Sequence, residues 1–230
     1  MQNRHYVPLV AILIIAPALT WAQSTSRENL RRSADQLAFY EVPLSCPAAR
    51  GLACGSAAKP VLSSLERRKT IDEAWLDHAG TTLAIIWKKG VKSGARRAEL
   101  RSLTDDRGIS LHELTGERRN ESLKNFESRK DWYRGAEVDR LSEEEAGIIV
   151  GRLIHRAARR EPTINERAVT LRSALTKVIR EQLTGCTTTQ CREDCRKQLT
   201  AIARQNLNDR EFHALMEAER QGYRPIGDER

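Results

Sequence analysis

The sequence predicts an α+β protein in two parts, a small antiparallel sheet of βαββαβ order over 39–116 and an all-α bundle or set of helical hairpins over 117–230. Three observations carry this. Short runs rich in β-branched and aromatic residues alternate with two helical segments in the first part. After Gly116 apolar residues recur at steps of three and four, with Ser, Thr or Asn placed three residues before Glu. No low-complexity linker separates the parts, so they are expected to form a joined unit.

Residues 1–22 contain Arg4 and His5, an apolar run from Val7 to Ala18, and Leu19-Thr20-Trp21-Ala22 with small residues at Thr20 and Ala22. That is the layout of a signal peptide. The apolar run falls short of the roughly 20 residues a membrane span needs, and Pro8 and Pro17 interrupt it. Its removal is expected, which places the mature chain in the periplasm or outside the cell with no transmembrane span left. Residues 23–38 are then the N-terminal segment of the mature protein.

Phe39 to Leu44 reads as the first strand and Ala57 to Arg68 as the first helix, with Val61, Leu62 and Leu65 on its apolar side. Ile71 to Leu76 and Thr81 to Trp87 read as a strand pair. Asp77-His78-Ala79-Gly80 breaks them apart and supplies a glycine for positive φ. Ala95 to Leu103 reads as the second helix, closed by Asp105-Asp106-Arg107-Gly108, and Ile109 to Leu114 alternates as a fourth strand. This order is that of the ferredoxin-like split βαβ arrangement.

At Gly51-Leu52-Ala53-Cys54, with Ile71-x-x-Ala74-Trp75-Leu76 and Gly80 to Ile86 beyond it, the chain resembles the heavy-metal-associated domains, small copper and mercury carriers. In that family a Gly-Met-x-Cys-x-x-Cys loop precedes the first helix and two thiolates hold a soft metal ion. The resemblance covers 39–116. It implies a metal role for Cys54, but Ala57 stands at the second cysteine place and Leu52 at the methionine. Cys46, eight residues before Cys54, is the nearest substitute ligand.

In the helical part, Ser142, Thr163 and Asn208 each precede a Glu by three residues, as capping boxes do. Ala146, Ile149, Val150, Leu153 and Ala157 form one stripe; Ile164, Ala168, Leu171, Leu175 and Val178 form another, with Gly185 as its stop. Helices are expected at about Gln190 to Asn206 and Arg210 to Gln221, the last ended by Gly222. Glu143, Glu144 and Glu145 read as first-turn complements to the helix dipole. Trp132-Tyr133-Arg134-Gly135 reads as a clasp between the two parts.

The 39 basic and 31 acidic residues give a net charge of +8, which raises nucleic acid as a partner. The signs are interleaved without a basic block, and export removes Arg4 and separates the chain from genomic DNA, so no nucleic-acid partner is expected. Of the histidines, His155 and His78 are expected to face water and His213 to be a surface residue beside Met216. The G-x-S-x-G, phosphate-loop, H-E-x-x-H and C-x-x-C patterns are missing, so no enzyme is expected.

The five cysteines are an odd number in an oxidising compartment. Cys46 and Cys54 have three readings: a disulfide closing the loop, a thiolate metal site at a helix N-terminus, or inert buried thiols. Cys186, Cys191 and Cys195 form a C-x₄-C-x₃-C array, either a disulfide with one thiol left over or a ligand set. The function expected is an exported, non-catalytic envelope protein that binds or transfers a soft ion (copper, zinc or mercury) through Cys46 and Cys54 first and the Cys186, Cys191 and Cys195 set second. A protein partner in the envelope would exchange that ion. The alternative is a disulfide-stabilised structural or interaction module with a decayed metal loop.

Overall fold

A computed structural model describes residues 35–186 and 188–227; the expected signal segment lies outside them. Five strands form one antiparallel sheet: β1 Leu37–Glu41, β2 Ile71–Asp77, β3 Thr82–Trp87, β4 His112–Glu113 and β5 Trp132–Tyr133. Their spatial order is β4-β1-β3-β2-β5. The helices are α1 Gly55–Glu66, α2 Ser93–Arg107, α3 Gly116–Glu127, α4 Asp139–Ala158, α5 Ala168–Gly185, α6 Thr189–Asn206 and α7 Asp209–Arg220. No described helix is long and apolar enough to cross a membrane.

Strands β1 and β3 are buried almost throughout because both sheet faces are covered. Successive strand residues point to opposite faces. Ala38, Tyr40, Leu83, Ile85 and Trp87 therefore join the main core, which also takes Val61, Leu62 and Leu65 of α1 and the Ala146–Ala157 stripe of α4. Phe39, on the other face, meets Phe126 and Trp132 with ring centroids 5.8 and 6.1 Å away, and Phe126 meets Trp132 at 4.9 Å. The Arg129 guanidinium lies 4.8 Å from the Trp75 ring and 5.2 Å from Phe126, closing this second layer.

Several boundaries differ from the sequence reading, each for a local reason. Beyond Glu41 the chain stays extended, but Val42 and Leu44 donate their amides to the Thr81 and Gly80 carbonyls of the β2–β3 turn, so the strand ladder ends early. The fourth strand shrinks to two exposed residues at the sheet edge. Trp132 and Tyr133, within a stretch expected to be helical, pair with Asp77 and Leu76 at the opposite edge. Two residues are too few to display a period.

Only one of the three capping boxes forms. Asn208 Oδ1 accepts from the Glu211 amide at 3.0 Å while Glu211 Oε2 accepts from the Asn208 amide at 2.9 Å. Helix α4 starts at Asp139 and leaves Ser142 inside it, and Thr163 sits in a 3-10 turn over Pro162–Arg167 with its hydroxyl on Glu161 and Glu211. Gly185 is the last residue of α5 rather than the residue beyond it. Both predicted apolar stripes are otherwise inward: Ala146, Ile149, Val150, Leu153, Ala157, Leu171, Leu175 and Val178 are all buried.

Candidate metal centre

The stretch between β1 and α1 is pinned by its backbone. Ser45 and Ala53 form a β-bridge, Cys46 N donates to Leu52 O at 2.7 Å, and Cys54 N donates to Leu44 O at 2.8 Å. Gly51 turns the chain at φ +74°, a region glycine enters without strain. Underneath lies the β2–β3 turn: Ala53 N donates to His78 O, and a Cβ on Gly80 would stand 2.5 Å from Leu44 O. Gly80 at φ +70° is thus required twice, by the turn and by the loop pressed against it.

This loop folds Cys46 inward and leaves Cys54 half-buried at the N-cap of α1. Both are free thiols, so the disulfide expected first for this pair is not formed. Ala57, at the family's second cysteine place, is exposed on the outer side of α1, while Leu52, at the methionine place, fills the core. A cysteine at 57 would face solvent. Cys46 instead faces the interior, toward α4.

The residue it meets there is Glu145. The Cys46 thiol donates to Glu145 Oε1 at 3.1 Å, and the two sulfurs and a Glu145 oxygen all lie within 4.8 Å of one another. Glu145 is only 3% exposed, and its Oε2 has no hydrogen-bond partner. The approach depends on Gly55, the first residue of α1: a Cβ there would lie 2.0 Å from Ser142 Oγ and 2.9 Å from Ser142 N. Removing that Cβ is what allows α1 to rest on α4 beside Glu145.

The electrostatics split the two cysteines. The Cys54 thiol is pulled well below the usual thiol range, first by the Cys46 S–H facing its sulfur, with help from the Ser56 hydroxyl and the Ala57 and Ser56 amides, against the opposing effect of burial. Cys46 moves up, chiefly through the Cys54 sulfur it faces, then through burial and the Glu145 carboxylate. Burial raises Glu145 in turn, partly offset by its hydrogen bond from Cys46 and by the Gly55 amide. Cys46 carries one proton and faces two acceptors. Two thiols and a carboxylate that orphans one oxygen form a donor set suited to a cation, so the residues fit a soft or borderline metal ion.

No family model, curated protein or solved structure matches this chain.

The second cysteine group resolves into a disulfide and a thiol, as its first reading expected. Cys186 and Cys191 are bonded, and the buried Cys195 sulfur stands 3.4 Å from that of Cys186. With two sulfurs in the bridge, only Cys195 retains a thiol, so the ligand-set reading does not apply to this oxidation state. His155 and His213 are exposed, and Met216 is half-buried with its sulfur 3.9 Å from the Thr200 hydroxyl. His78 reaches Glu144 at 3.1 Å. Arg50 is exposed.

Glu145 is the site residue that sequence reasoning missed. Grouped with Glu143 and Glu144, it reads as a solvated dipole complement. The available signal was its phase: Glu145 is one residue before Ala146 and four before Ile149, so a helix starting at Asp139 puts it at the margin of the apolar stripe. Assigning Glu145 as the capping partner of Ser142 hid this.

Proposed function

We propose that this is an exported, non-catalytic envelope protein that binds a soft metal ion through Cys46 and Cys54 and passes it to a protein partner. The observation that carries the reading is the pair of free thiols, held by a pinned loop with sulfurs within 4.8 Å, one of them half-exposed and biased toward thiolate. The strand order β4-β1-β3-β2 with α1 after β1 and α2 after β3 supports reading 39–116 as a ferredoxin-like, heavy-metal-associated-like domain, with β5 added at one edge. The Cys186–Cys191 disulfide supports an oxidising location, in line with a signal peptide at 1–22.

A second reading, a disulfide-stabilised interaction module, draws on that same bridge and on Ala57 at the lost ligand place. The deciding measurement is metal content and thiol titration of protein purified anaerobically from the periplasm, beside a Cys46→Ser/Cys54→Ser variant. Copper(I), zinc or mercury(II) bound by the wild type and not by the variant supports the first reading. Equal binding by both, or a Cys46–Cys54 disulfide in the unreduced protein, sinks it in favour of the second.

A further inference from the structure

From the placement of Glu145 we infer that it is a third protein ligand, and that the Cys46–Cys54–Glu145 centre takes a borderline divalent ion such as zinc in preference to copper(I). The inference rests on the metal-binding reading above and narrows it. Three separate elements converge to build the centre: the loop brings Cys46, the N-cap of α1 brings Cys54, and the second turn of α4 brings Glu145.

Burial of a carboxylate normally demands that both oxygens be satisfied, because each lone pair stripped of water must be repaid by a partner. Here Oε1 takes the Cys46 thiol and Oε2, in a residue 3% exposed, takes nothing. An ion between the two sulfurs and Glu145 supplies the missing partner. Donor chemistry then narrows the ion. Two thiolates alone suit copper(I), which is soft, whereas an added carboxylate oxygen suits zinc, which accepts sulfur and oxygen ligands together.

Charge points the same way. Two thiolates and a carboxylate bring three negative charges to a site with little water. A divalent ion leaves one uncompensated and a monovalent ion leaves two. Binding displaces the proton that Cys46 holds, so zinc affinity falls as pH drops and each bound ion releases protons. Three protein donors leave a tetrahedral ion one further position for water or a partner's ligand, and Cys54 is the exposed side from which either would approach.

The test uses the full mature chain with its disulfide intact, titrated anaerobically with zinc and, separately, copper(I), each against a competing chelator. Wild type is compared with Glu145→Gln and Cys46→Ser/Cys54→Ser. Glu145→Gln should weaken zinc at least about tenfold, since loss of an outer-sphere group alone typically costs 10- to 100-fold. It should leave copper(I) within about threefold, and the double-cysteine variant should lose both ions. Cobalt(II) gives a readout beyond affinity: the thiolate charge-transfer band should persist in Glu145→Gln while the d–d bands shift as an oxygen donor is lost. If Glu145→Gln does not fold, Glu145→Asp, whose shorter arm withdraws the carboxylate from the ion, should show the same d–d shift. Unchanged zinc affinity and unchanged d–d bands overturn the inference and leave the metal-binding reading intact, as does a wild type that binds copper(I) and not zinc. Failure of the wild type to bind either ion removes both.

Discussion

Gly55→Ala separates two forces of opposite sign at the candidate metal centre. Helix propensity alone makes the substitution stabilising by about 0.5–1 kcal/mol, because alanine has less chain entropy to lose in a helix. Packing opposes it. The new Cβ would sit 2.0 Å from Ser142 Oγ, 3.1 Å from Ser142 Cβ and 2.9 Å from Ser142 N, where ordinary contact begins at 3.4 Å. The hydroxyl can rotate away, but the amide is fixed in α4, so α1 and α4 must part by about half an ångström at this point. Overpacking of this kind costs about 1–3 kcal/mol. The net expectation is a loss of between about 0 and 2.5 kcal/mol, or a Tm lowered by up to about 10 °C at 2–4 °C per kcal/mol. Gly147→Ala is the matched control: it lies within α4, its Cβ would meet nothing within 4 Å, and it should gain the full propensity term of about 0.5–1 kcal/mol. Thermal and urea denaturation of the three proteins, with zinc affinity measured alongside, reads both effects. The reasoning is refuted if Gly55→Ala stabilises as Gly147→Ala does, or if it destabilises while leaving Cys54 reactivity and zinc affinity unchanged.

The alkylation rate of Cys54 against pH should inflect well below the ordinary thiol value, and Cys46→Ala should move the inflection up by removing the donor that faces its sulfur; an unmoved inflection would show that Cys46 does not hold the thiolate. Mass spectrometry of the unreduced protein should find a Cys186–Cys191 bridge and three free thiols, and Cys191→Ala should yield a Cys186–Cys195 bridge instead, given 3.4 Å between those sulfurs; a free Cys186 in that variant would count against the placement of Cys195. Phe126→Ala should cost about 3–5 kcal/mol by opening the aromatic layer against Phe39, Trp75 and Trp132, yet leave zinc affinity unaltered because that layer covers the sheet face away from the thiols; a parallel loss of affinity would mean the two faces are coupled.

The elements with enough length to repeat a pattern were legible in the sequence, and the short or non-local ones were not. Thr82–Trp87 announces itself by β-branched content, Ile71–Asp77 by the glycine turn that joins the two, and α4 and α5 by stripes of three and four. A two-residue strand such as Trp132–Tyr133 owes its existence to the free edge of β2, which no local pattern encodes. The Ser142 box fails for a related reason. A Ser three residues before a Glu satisfies the local rule, but burial of Ser142 against Gly55 and of Glu145 beside Cys46 draws the helix start back to Asp139. Local capping energy, about 1 kcal/mol, is smaller than the packing it competes with.

The same competition bears on why the centre exists where it does. Considered one at a time, its parts are unfavourable: a glycine at the head of a helix, a buried carboxylate with an orphaned oxygen, and two thiols left unpaired within 4.8 Å in a chain that does form a disulfide elsewhere. A sequence under pressure for stability alone has inexpensive remedies for each, namely alanine for Gly55, glutamine or leucine for Glu145, and oxidation or loss of one thiol. Violations of local rules that converge on a single point mark places where something other than stability is being served. A divalent ion at Cys46, Cys54 and Glu145 makes all three features favourable at once. It pairs the orphaned oxygen, compensates the clustered negative charge, and requires the close α1–α4 approach that only glycine permits at position 55.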